Sequence, residues 1–181
     1  MRSFSLILVV LAAVSFLISG CTTAPSTEEG REVQDSEVQA TIKSFLNADP
    51  GMKSFFDTSY GYAVFPSVGK GAVGIGGAYG KGQVFEMGSM IGWSSLSQAT
   101  IGFALGGQAY SEVVFFQTKE NLMRFTSGEF ALAAQASAVA ATAGASADAG
   151  FRNGIAIFTQ AKGGLMYEAS VGGQKFNFVR K

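Results

Sequence analysis

The sequence predicts an α+β fold dominated by a glycine-rich antiparallel sheet, barrel- or sandwich-like, with two or three flanking helices. Three observations predict this class: short aromatic and β-branched runs recur from residue 60 to the C-terminus, glycines are dense among them, and two segments have helical spacing. The 181 residues include 24 glycines, and 48% of them are hydrophobic. This composition excludes disordered and collagen-like chains.

The chain begins with a segment typical of a secretory signal. Arg2 precedes an apolar run from Ser5 to Leu17, which has the length of a signal-peptide core and is too short for a membrane-spanning helix. The run ends in Ile18-Ser19-Gly20-Cys21, which resembles the lipobox of bacterial lipoproteins. We therefore expect residues 1–20 to be a lipoprotein signal peptide and Cys21 to be acylated, with palmitate-type chains. The alternative is an ordinary signal peptide followed by a structural thiol.

An acylated Cys21 predicts a membrane-anchored protein of the cell envelope, because several acyl chains together hold a protein stably. Thr22 follows the cysteine, and resemblance to enterobacterial sorting then favours the outer membrane, facing the periplasm. The polar, acidic stretch up to Asp35 predicts a flexible tether over residues 21–35, with a reach of about 20 Å. Residues 36–181 are expected to form a single domain.

The first predicted element of that domain is an amphipathic helix from Ser36 to Asn47. Its apolar residues recur at i, i+4, i+7 and i+8, starting from Val38. We expect the helix to pack on the domain's own core. The alternative is a helix that lies on a membrane or binds a partner, but Lys43 is its one basic residue, whereas interfacial helices are rich in lysine and arginine.

Strands are predicted next, because aromatic and β-branched residues alternate with glycine-rich turn signals. Gly76-Gly77 is a candidate hairpin turn, and Gly163-Gly164 and Gly172-Gly173 predict further antiparallel hairpins. A second helix is expected from about Lys119 to Ser127, with Thr118 as its N-cap. The predicted strands are Tyr60–Pro66, Gln83–Gly88, Met90–Ser94, Ala99–Gly106, Glu112–Gln117, Ile155–Gln160, Leu165–Val171 and Lys175–Val179.

The segment from Ala131 to Ala149 supports two predictions. Eleven alanines in 19 residues favour a helix by propensity. From Ala136 onward, however, alanine alternates with other small residues, which favours a strand or hairpin of small side chains. We prefer the strand for the second half of the segment.

Composition also excludes several functions. The chain has no histidine and one cysteine, so catalytic pairs of serine or cysteine with histidine are excluded, as are histidine or multi-cysteine metal sites. With 13 basic and 13 acidic residues, the chain lacks the positive charge that drives nucleic-acid binding. Gly69 to Gly74 matches a dinucleotide-binding glycine pattern, but no helix is predicted to follow it. We expect no enzyme activity and no cofactor.

Several blocks of the sequence together resemble the signature of the SYLF domain family. The resemblance covers roughly Ser36 to Val179. The blocks that carry it are Tyr60 to Gly71 (YGYAVFPSVGKG), Gly76 to Gly82 (GGAYGKG), Gly92-Trp93, Phe103 to Gln108 (FALGGQ), Val113 to Phe116 (VVFF), Lys162 to Leu165 and Ser170 to Gly173. What the resemblance implies is lipid association, because eukaryotic members bind phosphoinositide membranes and some bind actin, while bacterial members are often envelope lipoproteins. Affinity for an anionic headgroup or an apolar ligand is the property expected here.

Lys70 and Lys81 are the candidate headgroup ligands, because each stands between glycines, where an ammonium group and exposed backbone N–H groups can meet a phosphate. A turn at Gly76-Gly77 would bring both lysines into one patch, whereas a continuous strand would place them about 36 Å apart on opposite faces. Arg152 is a third candidate, in a loop that departs from the family pattern. The alternative function is a structural or assembly module that binds another envelope protein.

Overall fold

The computed structural model describes residues 22–73, 75–101, 106–128, 130–133, 136–162 and 171–181. The predicted signal peptide, Cys21 and the strand predicted at 165–171, apart from its last residue, lie outside the described residues. The strands among these residues are β1 (Gly61–Val73), β2 (Ile75–Glu86), β3 (Ser89–Ile101), β4 (Gly106–Phe116), β5 (Val139–Ala140), β6 (Ile155–Ala161) and β7 (Lys175–Arg180). These seven strands form one sheet in the order β5-β6-β4-β1-β2-β3-β7.

The predicted α+β class is confirmed. Neighbouring strands are antiparallel, except that β5 runs parallel to β6. Among the described residues the sheet is a single open layer with β5 and β7 at its edges, so the closed or two-layered form expected from the sequence is not found. The described helices are α1 (Glu28–Ala48), α2 (Lys53–Thr58) and α3 (Lys119–Thr126).

Hydrophobic side chains cover much of both faces of the sheet, because the strands carry them at consecutive positions, whose side chains point to opposite faces. On one face, Val64 and Phe85 pack under α1 and α2. On the other, Phe65 and Val84 pack with α3 and with the chain that follows it. We call these surfaces the α1 face and the α3 face.

Helix α1 begins eight residues before the predicted start. Thr27 is its N-cap and accepts a hydrogen bond from the backbone N–H of Gly30. Glu28 and Glu29 lie in the first turn, where negative charge stabilises the helix dipole. The N-cap and the acidic first turn therefore start this helix in a stretch that has no apolar periodicity. Residues 28–35, which the sequence predicts to be part of a flexible tether, are helical. Helix α3 is confirmed, with Thr118 and Asn121 forming a capping box.

The predicted turn at Gly76-Gly77 is wrong. Strands β1 and β2 stay paired up to Val73 opposite Ile75, so both glycines lie inside β2. The turn at the other end of β2 lies at Met87 and Gly88, which have φ values of 47° and 80°. The strands predicted at Gln83–Gly88 and Met90–Ser94 are thus the flanks of this hairpin.

The alanine-rich segment is neither a helix nor a hairpin within its described residues. The preferred strand is found over two residues only, as β5. The segment also contains a β-bridge from Ala131 to Lys175 and a 3-10 turn at Ala145–Ala147, and most of its remaining described backbone is irregular. Ala138 and Ala141 are buried, because their small side chains let this backbone lie close against the sheet. The hairpins predicted at Gly163-Gly164 and Gly172-Gly173 both need the strand at 165–171, most of which lies outside the described residues; the flanking strands β6 and β7 pair with β4 and β3.

None of the helices that the structure describes combines the length and the apolar character of a membrane-spanning segment.

Candidate functional site

Lys70 and Lys81 do not form the patch predicted for them. Lys81 pairs with Ser67, and Lys70 pairs with Ala78. The register between Ser67 and Lys70 is continuous, so these two β1 residues, three positions apart, point to opposite faces of the sheet. Lys81 therefore lies on the α1 face and Lys70 on the α3 face.

Arg152 is remote from both lysines. It is exposed and forms a single β-bridge with Ile155, at the start of β6. Ile155 pairs with Phe116, which in turn pairs with Gly61 at the beginning of β1. Lys70 lies nine residues further along β1, about 30 Å away at strand spacing. The structure thus separates the three candidates predicted from the sequence.

The α1 face instead brings Lys81 near Lys175. Ser95 pairs with Lys81 on one side and with Asn177 on the other. Two residues along β3, Ser97 pairs with Tyr79 and with Lys175. Two strand spacings and a two-residue offset separate the Cα atoms of the two lysines by about 12 Å, which two flexible lysine side chains can span.

These residues belong to a part of the α1 face that no described helix covers, which we call the open face. Its members share exposure or half-exposure and a small or polar character. They are Ser67, Gly69, Gly71, Gly77, Tyr79, Lys81, Ser97, Ala99 and Lys175. Tyr79 is its one large ring and is 44% exposed. No acidic residue is among the described members, so the surface combines two positive charges with hydroxyl groups and a flat, glycine-rich backbone.

Lys175 was missed by the sequence analysis. Polar and apolar residues alternate in β7, which indicates that Lys175 and Asn177 share one face, whereas Phe176 and Phe178 share the other. The alternation does not reveal that β7 pairs with β3, which is 78 residues earlier at the Ser97 position. The position of Lys175 on the open face is therefore set by a long-range strand pairing.

The N-terminal segment borders the open face. The hydroxyl groups of Thr23 and Ser95 share a hydrogen bond of 3.1 Å. The guanidinium of Arg31 stacks 5.1 Å from the centre of the Trp93 ring and donates to the Pro25 carbonyl at 3.3 Å. Residues 22–27 are thus held against β3 and do not form the predicted flexible tether.

A cleft of about 800 Å³ lies between α2 and the alanine-rich segment, and is lined by Phe55, Phe151, Ser54 and Thr58 among others. Asp49 at its base accepts hydrogen bonds from the backbone N–H groups of Ser146 (2.6 Å) and Gly51 (3.0 Å). These bonds, with that from Ser146 the strongest, lower the pKa of Asp49. The carboxylate is therefore engaged in holding the two segments together.

One acidic residue is sealed inside the α3 face. Glu112 has no exposed surface, and burial raises its pKa to about 8. The side-chain amide of Gln174 donates to Glu112 (3.0 Å) and to Tyr110 (3.2 Å). Since Glu112 does not reach solvent, it has no access to a substrate.

Some described residues resemble parts of known catalytic or nucleotide-binding sites, but they have structural roles here. Ser94 is buried and donates a hydrogen bond to the carbonyl of Asn177. The glycine pattern that begins at Gly69 lies within β1 and not at the start of a helix. In the described parts of the chain, no three acidic, histidine or cysteine side chains lie close enough together to hold a metal ion.

Two comparisons relate the chain to known proteins. Residues 97–180, which include Ser97 and Lys175, match the Ysc84 family model, described as "Las17-binding protein actin regulator". The chain is also 25% identical over 160 residues to "Beta cell expansion factor A" of Aeromonas veronii. That alignment covers 83% of this chain but 58% of the relative, so the chain spans less than two thirds of that protein's length.

Proposed function

Because residues 97–180 match the model of the SYLF (Ysc84) family, we propose that the chain is a non-enzymatic lipoprotein of the cell envelope whose domain binds lipid through anionic headgroups. The observation that carries this proposal is the open face, where Lys81 and Lys175 lie beside the hydroxyl group of Ser97 and the half-exposed ring of Tyr79. Ammonium groups and hydroxyls bind phosphate oxygens. A half-exposed tyrosine suits the boundary between headgroups and acyl chains.

The net charge of the chain explains why the two lysines of the open face matter for membrane binding. Once Arg2 is removed with the predicted signal peptide, 12 basic and 13 acidic residues remain. Bulk attraction to an anionic membrane is then absent, so binding must come from a surface where positive charge is concentrated. Lys70 and Arg152 do not belong to that surface, and the proposed headgroup ligands are therefore Lys81 and Lys175.

Anchoring is the second part of the proposal. The apolar run that ends in Ile18-Ser19-Gly20-Cys21 supports acylation of Cys21 and export to the envelope, with the outer membrane and the periplasmic side favoured by Thr22. Acyl chains would hold the protein at a bilayer, and the domain would add affinity for headgroups. The names of the matched family and relative mention actin and cell expansion, and neither property is needed for this proposal.

Flotation of unacylated protein, residues 22–181, tests the headgroup proposal. Vesicles of neutral lipid and vesicles with anionic lipid are compared at about 0.01 M and about 1 M salt, where the Debye length is about 30 Å and about 3 Å. We expect flotation with anionic vesicles at low salt only. A lysine near an anionic surface contributes about 1 kcal/mol, so the double variant Lys81→Gln/Lys175→Gln should bind about 30-fold more weakly.

The matched control is the double variant Lys70→Gln/Arg152→Gln, which removes the same charge from outside the open face. It should float like the native protein. Equal losses in both double variants would show attraction to net charge and contradict the assigned surface. Absence of flotation by the native protein would contradict headgroup binding and favour the alternative, a module that binds another envelope protein.

A further inference from the structure

The N-terminal segment fixes where a lipid anchor would lie relative to the open face. Thr23 is hydrogen-bonded to Ser95, which pairs directly with Lys81. Cys21 is two residues before Thr23, so covalent geometry limits the distance between their Cα atoms to about 7 Å. The headgroup layer of a bilayer is about 5–8 Å thick on each side. An acyl group on Cys21 therefore enters the membrane within about one headgroup layer of the open face.

We propose that the acyl chains on Cys21 hold the open face against the same bilayer into which they insert, so that the domain binds its own membrane in cis. This inference rests on the acylation of Cys21 in the proposed function. It adds the orientation of the domain and the identity of the bilayer that it contacts. A flexible tether of residues 21–35 would instead have allowed the domain to turn toward another membrane.

Helix α1 sets the angle of this contact. It packs on the same face of the sheet, beside the open face, and stands about 10 Å above it. From Ser67 to Val73, β1 extends for six residues beyond the helix, about 20 Å. Because the protruding helix prevents flat contact with this face, a bilayer meets the sheet at a slant, with the β1–β2 hairpin end closest to the lipid.

Charge favours the same slant. The exposed acidic residues of α1 include Glu28, Glu29, Glu32, Asp35 and Glu37, and an anionic surface repels them. The open face offers Lys81 and Lys175 without a described acidic residue. Tilting toward the hairpin end moves the acidic helix away from the headgroups and keeps the two lysines beside them.

Depth-dependent fluorescence quenching on the acylated full-length protein tests the orientation. Because the chain has one cysteine, which is acylated in the proposed form, an introduced cysteine is its single free thiol. Labels are placed at Gly71→Cys, where an added Cβ meets nothing within 4 Å, and at Ser97→Cys, which is exposed on the same face. Met123→Cys is the matched control, since Met123 is 59% exposed on α3, across the sheet.

The protein is reconstituted in vesicles of mixed neutral and anionic lipid with a quencher on the headgroup. We expect the label at Gly71 to be quenched most, the label at Ser97 less, and the label at Met123 at the level of a soluble fluorophore. Equal quenching at all three positions would overturn the proposal. Protein recovered from the membrane without acyl chains would overturn it too.

A second variant separates this inference from the proposed function. An insertion of about 12 glycine and serine residues between Thr22 and Thr23 gives the anchor a reach of about 20 Å. Quenching at Gly71 and Ser97 should fall at least twofold, whereas flotation of the unacylated domain should not change. Flotation without label quenching would mean that the headgroup site acts on other membranes, and the cis orientation is then wrong. Quenching without flotation would support the orientation and contradict headgroup affinity.

Discussion

Gln174 donates a hydrogen bond to Glu112 at 3.0 Å inside the α3-face core, and so connects the residue before β7 to the middle of β4. One carboxyl oxygen of Glu112 has no hydrogen-bond partner among the described residues. A buried carboxylate with so few donors is poorly solvated, and burial raises the pKa of Glu112 to about 8. The residue is therefore protonated in the folded protein near neutral pH.

The first prediction concerns stability against pH. In the unfolded chain a glutamate ionises near its ordinary pKa of 4.5. Between that pH and about 8 the folded state holds one more proton than the unfolded state, so the free energy of unfolding falls as pH rises, by up to about 1.4 kcal/mol per unit from this group. Urea unfolding followed from pH 5 to pH 8 measures the slope.

The variant Glu112→Gln should remove that slope, because an amide of the same shape does not titrate and still accepts from Gln174. It should be more stable than the native protein at pH 8. Glu37→Gln, an exposed substitution on α1, is the matched control and should retain the native slope. A Glu112→Gln protein with the native pH dependence would show that Glu112 is ionised in the fold.

The second prediction concerns Asp49. Its carboxylate accepts hydrogen bonds from the backbone N–H groups of Ser146 and Gly51, and these bonds lower the pKa of Asp49. The stability that Asp49 contributes is therefore fully present above the ordinary pKa of 3.8, and it is lost as the pH falls through the lowered pKa. Asp49→Ala leaves the buried N–H of Ser146 without its acceptor and should lower the midpoint of urea unfolding. Asp57→Ala, which breaks an exposed ion pair with Lys53, should change it little. Equal effects would contradict the role of Asp49.

The third prediction contrasts two strand glycines. A Cβ at Gly82 would lie 2.1 Å from the Val64 carbonyl oxygen and 2.8 Å from the Phe65 ring, whereas one at Gly69 would meet nothing within 4 Å. Gly82→Ala should prevent stable folding, because β1 has no room to move away from β2. Gly69→Ala should be neutral or raise stability by about 0.5–1 kcal/mol. Circular dichroism with thermal unfolding distinguishes them, and a stable Gly82→Ala protein would contradict the close strand contact.

Local patterns predicted much of the fold. Helix α3 was predicted because its cap, apolar spacing and stop signal are all within eleven residues, from Thr118 to Gly128. Strands β4, β6 and β7 were predicted from short apolar runs. The start of α1 was not predicted, since it depends on a cap and on acidic residues in a stretch without apolar periodicity. In the alanine-rich segment the preferred strand is found only at Val139–Ala140, because most of the described backbone follows the sheet surface beneath it and not its own propensity.

The candidate site was less predictable from the sequence, for a physical reason. A strand alternates its faces every residue, so an error in the position of one turn changes the partners of every residue in the hairpin. Placing the turn at Gly76-Gly77 brought Lys81 toward Lys70, whereas the observed register opposes Lys81 to Ser67. Lys175 joins Lys81 through β3, and pairings between strands so distant in sequence leave no local signal.

The fourth prediction tests the N-terminal segment that the sequence analysis treated as a tether. A protein that begins at Ser36 lacks the first two turns of α1, including the Thr27 cap, and lacks the stacking of Arg31 on Trp93. An N-cap contributes about 1 kcal/mol and a cation–π contact about 0.5–1 kcal/mol, so this truncation should lower the free energy of unfolding by about 2 kcal/mol relative to residues 22–181. Arg31→Ala in the longer protein should account for the cation–π part. If the truncated and longer proteins unfold at the same urea concentration, residues 22–35 are a tether after all, and the position proposed for a lipid anchor beside the open face is contradicted.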